Sequence, residues 1–152
     1  GEPLLQTDAL IELIDVLREH DHCAAFEIET NGSIVPSDEL ADRIDLFVMS
    51  PKLAHSGNDA LAALRPEALD RFAQLPAACL KFVAQDTSDV EAAAAIAQRH
   101  GFPAQRVYIM PEGTTSEMIR ARGPKLIDAA IAHGFNYSDR LHIHLFGQKR
   151  GV

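Results

Sequence analysis

Several features are scarce in this chain, and each scarcity removes a class of protein. There are only two cysteines, Cys23 and Cys79, and they form no C-x-x-C pair. A disulfide framework and a zinc finger are therefore poor readings, and a reduced, cytoplasmic setting fits. Positive charge is in deficit: the formal net charge is −8, so no direct partnership with nucleic acid backbone is expected. No apolar run reaches the length needed to span a bilayer, and no signal peptide precedes the first helix. Internal repeats and low-complexity linkers are absent as well. The chain has no initiator Met and opens inside a motif, so residues upstream are expected to be missing.

What remains is 152 residues, enough for a single domain with a real core. Residues 7–20 pattern as an amphipathic helix, with Leu10, Leu13, Ile14 and Leu17 on one face and Thr7 or Asp8 as its cap. A strand is predicted over 24–29, a helical turn over 38–43 and a strand over 46–49. Helical pattern returns over 59–74, where Pro66 starts a second helix. A strand over 79–84 precedes an alanine-rich helix over 89–100, capped by Ser88 and stopped by Gly101. Then come a strand over 106–110, a helix over 116–133 with a kink or break at Gly123-Pro124, and a final strand over 141–146. Short apolar strands separated by helices give an α/β fold with a mostly parallel sheet, or part of a β/α barrel.

The stretch Phe26-Glu27-Ile28-Glu29-Thr30-Asn31-Gly32 is the pivot. Glu27 and Glu29 alternate with apolar residues and share one face. Asn31-Gly32 then turns the chain with φ > 0. Gly1-Glu2-Pro3 and Ser50-Pro51-Lys52 are further polar ends. On neighbouring parallel strands they converge on one rim, where α/β folds bind ligands. His20, His22 and Cys23 are close enough to suggest a metal, but histidines suit a helix C-terminus and Cys23 leads into a strand. His142 and His144, read on one face of a last strand, serve better as hydrogen-bonding groups at the rim than as a metal pair. Lys149 and Arg150 read as a solvated end.

The motifs occur in a telling order. Gly1-Glu2-Pro3-Leu4-Leu5-Gln6, Glu29-Thr30-Asn31-Gly32 and Ser50-Pro51-Lys52-Leu53 are followed by Ser56-Gly57 and Lys81-Phe82-Val83. Met110-Pro111-Glu112-Gly113 and Leu141-His142-Ile143-His144-Leu145-Phe146-Gly147 complete the series. In these motifs the whole chain resembles the C-terminal two thirds of 7-carboxy-7-deazaguanine synthase, of the radical S-adenosylmethionine (SAM) superfamily. The resemblance implies a partial, modified β/α barrel, truncated here at its N-terminus, and usually a homodimer. It implies ring contraction of 6-carboxy-5,6,7,8-tetrahydropterin to 7-carboxy-7-deazaguanine with loss of ammonia, a step towards queuosine and related 7-deazapurines. A [4Fe-4S] cluster, SAM and Mg²⁺ are the implied cofactors, and flavodoxin or ferredoxin the implied reductant.

The resemblance also assigns residues. Gly1 and Glu2 resemble the end of a Gly-Gly-Glu motif whose carboxylate holds the SAM amino group. Ser50 and Lys52 resemble contacts to the SAM ribose and carboxylate, Met110 a residue beside the adenine, and Asn31 lines the same rim. Glu29 resembles the glutamate that reads the pterin amino and ring N–H groups. His144 and the terminal carboxylate of Val152 are placed near the substrate. The cluster cysteines and the Mg²⁺-binding threonine of the family have no counterpart in this sequence and are expected upstream of Gly1, so this chain alone is expected to be inactive. Two other readings stay open: another radical SAM enzyme of the activating type, and a cluster-free α/β domain that binds a nucleotide or a partner.

Overall fold

The computed structural model of the chain describes residues 1–53 and 65–149. It is α/β, with five strands in the order β1-β2-β3-β4-β5: β1 Glu27–Thr30, β2 Leu46–Met49, β3 Ala78–Ala84, β4 Val107–Pro111 and β5 Asn136–Tyr137. The pairings of β1 with β2, β2 with β3 and β4 with β5 are parallel. The sheet is open rather than closed, as in a partial β/α barrel. The chain divides into two compact units, Gly1–Leu80 and Lys81–Val152, with the boundary inside β3.

In the first unit, a 3-10 turn over Pro3–Gln6 runs straight into α1, Thr7–His20. Neither Thr7 nor Asp8 caps this helix. Gln6 occupies the cap position without a side-chain bond, and the Thr7 hydroxyl donates to the Leu4 carbonyl instead. The preceding turn feeds α1 directly, so no extended residue is available to act as a cap. Of the expected apolar face, Ile14 is buried and Leu10 half-buried, whereas Leu13 and Leu17 remain 52% and 43% exposed. In β1 the burial alternates as expected: Glu27 and Glu29 are exposed, Ile28 and Thr30 buried. The strand begins later than predicted and includes Thr30.

Helix α2 is the single turn Asp38–Ala41, capped by the Ser37 hydroxyl on the Leu40 amide. Pro66 begins α3, Pro66–Gln74, where its missing N–H costs nothing. The earlier part of the predicted 59–74 helix lies outside the described residues. The core of this unit is built on Phe47 and Phe72, packed edge to face with ring centroids 5.4 Å apart, and on Leu40, Met49 and Leu69. Each such side chain contributes about 1.5–3 kcal/mol by leaving water.

In the second unit, α4 spans Thr87–His100 and its cap is Asp86, not Ser88. The Asp86 carboxylate accepts from both the amide and the hydroxyl of Ser88, which places Ser88 inside the first turn. Gly101 ends the helix with φ 72°. Helix α5 runs unbroken over Ser116–Ala132 with Pro124 inside it. Gly123 is buried beside the Tyr137 phenol, while Pro124 is exposed.

The largest correction concerns Leu141–Phe146. It is a helix, α6, and not the last strand. The alternation in Leu-His-Ile-His-Leu suited either period over so short a run. The outer place in the sheet is taken by β5, whose Asn136 and Tyr137 pair with Tyr108 and Ile109. Only Ile143 of α6 is buried, and Leu141, Leu145 and Phe146 stay exposed. On a helix, residues two apart point to nearly opposite sides. His142 and His144 therefore do not share a face: His142 is exposed and His144 half-buried.

Candidate functional site

The first unit gathers candidate residues at the C-terminal ends of β1 and β2. Glu2 anchors them. Its carboxylate accepts from the Thr30 hydroxyl at 2.8 Å, the Asn31 amide at 2.9 Å and the Leu4 amide at 3.2 Å. Thr30 is 3% exposed, and its oxygen also accepts from the Gly32 amide at 3.1 Å. Gly32 has φ 76°, and a Cβ there would stand 2.6 Å from the Met49 sulfur. Only glycine permits this corner, which keeps β1 tight against β2. The Asn31 side chain accepts from the Ser33 amide at 2.8 Å, making an Asx turn around the same glycine. Ser50 donates its amide to the Thr30 carbonyl at 2.8 Å, closing the ends of the two strands together.

Glu2, Asn31 and Ser50 are thus drawn to one rim through Thr30, a residue whose role the sequence reading missed. The signal was present: a Thr beside Asn-Gly at a strand end has a hydroxyl that must be satisfied if buried. Gly1 is exposed beside Glu2, and Lys52 is exposed beyond Ser50. Glu29 lies on the opposite face of β1 from Thr30, as strand alternation requires. Ser56-Gly57 falls outside the described residues.

The second unit holds Met110, half-buried on β4 on the same face as Tyr108. It also holds a polar cluster at the C-terminal ends of β4 and β5. Arg122 donates to both the backbone and the carboxylate of Glu112, at 2.5 and 2.9 Å. Arg140 donates to the Gly113 carbonyl at 2.8 Å, while its buried Nε has no partner. His144 is held between Ser116, at 3.1 Å, and Asp139, at 3.3 Å. Sequence reading named His144 but placed it by its nearness to the tail, and it missed Ser116, Asp139 and Arg140. The polar run before Leu141 was their only signal. Val152 lies outside the described residues.

A groove of about 570 Å³ in this unit is lined by Glu91, Ala94, Gln98, Phe102, His133 and Phe135 among others, and none of the candidate residues faces it. Among the described residues no three His, Cys, Asp or Glu side chains are grouped to hold a metal. Cys23 is exposed and Cys79 buried, and neither is in a disulfide; two cysteines so placed supply no ligand set for an iron-sulfur cluster. Ion pairs elsewhere are structural. The Arg43 guanidinium beside Asp15 holds that carboxyl below its usual range, and burial raises the Tyr137 phenol above its own.

No family model matches the chain. It is similar along nearly all its length to curated proteins named 7-carboxy-7-deazaguanine synthase. The protein of Pyrobaculum aerophilum is 35% identical over 152 residues, which is 99% of this chain and 64% of that relative. The protein of Rhodopirellula baltica is 32% identical over 164 residues, covering 100% of this chain and 61% of the relative. That of Halobacterium salinarum is 34% identical over 167 residues, 96% and 62% respectively. The chain therefore spans somewhat less than two thirds of the length of these relatives.

Proposed function

We propose that this chain, a relative of the 7-carboxy-7-deazaguanine synthases, is part of such an enzyme, and that it supplies SAM and substrate contacts for the ring contraction of 6-carboxy-5,6,7,8-tetrahydropterin. The observation that carries the reading is the fixed carboxylate of Glu2 at the ends of β1 and β2. The relatives' names favour it over an activating-type enzyme and over a cluster-free binding domain.

The residues present fit SAM. Its ammonium group needs an immobile carboxylate with acceptor capacity to spare. Glu2 engages three donors, is half-buried, and has about one acceptor direction left of the four that a carboxylate offers. Thr30 and the Asn31 amide orient it, so the charge is in place before the ligand arrives. Ser50 and Lys52, following β2, offer a hydroxyl and a cation to the ribose and carboxylate, and Asn31 and Gly1 line the approach. Met110 offers a polarizable apolar surface to the adenine. With a reduced [4Fe-4S] cluster, SAM would supply the radical that starts the reaction. The described residues group no ligand set for the cluster or Mg²⁺, and the proposal places both on residues outside the described ones.

For the pterin, Glu29 offers two oxygens to the adjacent amino and ring N–H donors. His144 and the Val152 carboxylate complete the proposed substrate contacts. His144 does so only by giving up Ser116 or Asp139, since both its ring nitrogens are engaged. The reading extends to residues 1–152 as the C-terminal part of one radical SAM core domain, incomplete in this chain, and to a C–N lyase, a homodimer, reduction by flavodoxin or ferredoxin, and a cytoplasmic setting. Among the described residues no helix is long and apolar enough to cross a membrane.

The test uses the full-length protein, reconstituted anaerobically with iron and sulfide. It should convert carboxytetrahydropterin to 7-carboxy-7-deazaguanine with one ammonia released per turnover, as read by mass spectrometry. Glu2→Ala should weaken SAM binding and leave pterin binding intact. Cluster-loaded protein that cleaves SAM but leaves the pterin untouched would move the assignment to another radical SAM enzyme.

A further inference from the structure

We propose that Ser116, His144 and Asp139 form a second chemical centre: a serine hydroxyl primed by a general base, able to accept an acyl or phosphonyl group from a small activated ester or fluorophosphonate. This goes beyond the synthase reading: it competes with the proposed pterin contact for His144, and its test needs no synthase activity.

The placement follows from the chain path. Strand β4 ends at Pro111, a four-residue turn follows, and Ser116 is the first residue of α5. A strand–turn–helix passage of this kind sets a hydroxyl at a helix N-terminus, where the helix dipole favours developing negative charge, while the Met118 amide is already taken by the Thr115 hydroxyl. After β5 the chain supplies Asp139 and then, one turn into α6, His144. The order of nucleophile, acid and base along the chain is that of strand–turn–helix hydrolases, though fold alone proves no activity.

The hydrogen bonds assign each role. His144 Nδ1 lies 3.1 Å from Ser116 Oγ, and its Nε2 lies 3.3 Å from Asp139 Oδ1. An ionised carboxylate only accepts, so the proton of the neutral ring sits on Nε2. Nδ1 is then the acceptor, and the Ser116 hydroxyl must donate to it. The oxygen's lone pairs are left for an electrophile. Asp139 is itself fixed, because the same oxygen accepts from the Arg140 amide at 2.6 Å. The His144 side chain is 19% exposed and Asp139 48%, so the base is shielded while the carboxylate stays solvated.

The step balances without a cofactor. Ser116 Oγ bonds to the acyl carbon, its proton passes to His144 Nδ1, and the ester C–O bond breaks. The leaving alkoxide takes that proton, and water releases the acyl group by the reverse path. With a fluorophosphonate the Oγ–P bond forms, the P–F bond breaks and fluoride leaves, so the adduct is stable.

The experiment treats the full-length protein with a fluorophosphonate and maps the adduct by peptide mass spectrometry. The expected result is one adduct, on Ser116, lost in Ser116→Ala. His144→Gln, which can still bond the hydroxyl, should slow labelling about 100-fold or more, and Asp139→Asn about tenfold. Amide exchange across α5 reports whether each variant is folded, and His144→Asn serves in place of a variant that is not. No adduct, labelling spread over several serines, or an unchanged rate in a folded His144 variant overturns the proposal.

Discussion

Removing the Glu2 carboxylate should destabilise the first unit measurably, whatever the ligand. Its three bonds differ in what they lose. Asn31 is exposed, so water replaces the carboxylate at its amide. Thr30 is 3% exposed, so its hydroxyl is left without an acceptor. Leu4 is equally buried, but its bond of 3.2 Å is long. A hydrogen bond to a charged acceptor is worth about 1.5–3 kcal/mol, and a neutral or stretched one about 1 kcal/mol. Glu2→Ala should therefore cost about 2–4 kcal/mol. For a chain of this length, that lowers Tm by about 5–15 °C. Glu2→Gln keeps one acceptor but turns an NH2 towards another N–H or O–H, so about half the loss is expected. Urea unfolding of the chain measures both. Glu2→Ala and Thr30→Val should couple by about 1–2 kcal/mol, because each deletes the same bond. A Glu2→Ala variant within about 0.5 kcal/mol of the parent, or strict additivity with Thr30→Val, would refute the anchoring role.

Four further outcomes are expected. Gly32→Ala combines a left-handed backbone with a Cβ 2.6 Å from the Met49 sulfur, so it should lose about 2–4 kcal/mol in the same urea assay. In Gly123→Ala the new Cβ meets the Tyr137 hydroxyl at 3.1 Å. That contact offsets the helix gain of about 1 kcal/mol, and Tyr137→Phe should release it, so the double variant melts higher than Tyr137→Phe alone. The Asp15 carboxyl is held below its ordinary value of 3.8 chiefly by its hydrogen bonds from Arg43, so its contribution is complete above that pH and fades as acid protonates the folded form. Asp15→Asn should thus lower stability by a constant amount above about pH 5, and the two curves should merge in stronger acid. In the full-length protein, Glu29→Gln should raise the pterin KM about tenfold or more while SAM affinity holds, and equal loss of both would make Glu29 structural.

Sequence by itself determined the alternation of strand and helix, because burial periodicity and terminal residues are local properties. Leu46–Met49 was delimited to the residue, Pro66 was correctly read as a helix start, and Gly101 as a stop. It also determined local geometry around β1: Glu29 on the exposed face and a glycine corner after Asn31 follow from a period of two and from φ. Only the tertiary structure decided what the local pattern left degenerate. Leu141–Phe146 alternates, yet it is a helix, since β5 already occupies the edge beside β4 and the exposed leucines cannot be buried there. Thr30 joined the site because Glu2, 28 positions away, closes on it. Ser116 and Asp139 met His144 in the same manner, across separations of 28 and 5 residues. Propensity and periodicity act over a few residues, whereas a hydrogen bond between distant side chains exists only once packing has brought their backbones within about 3 Å of polar contact. That distance is a property of the fold.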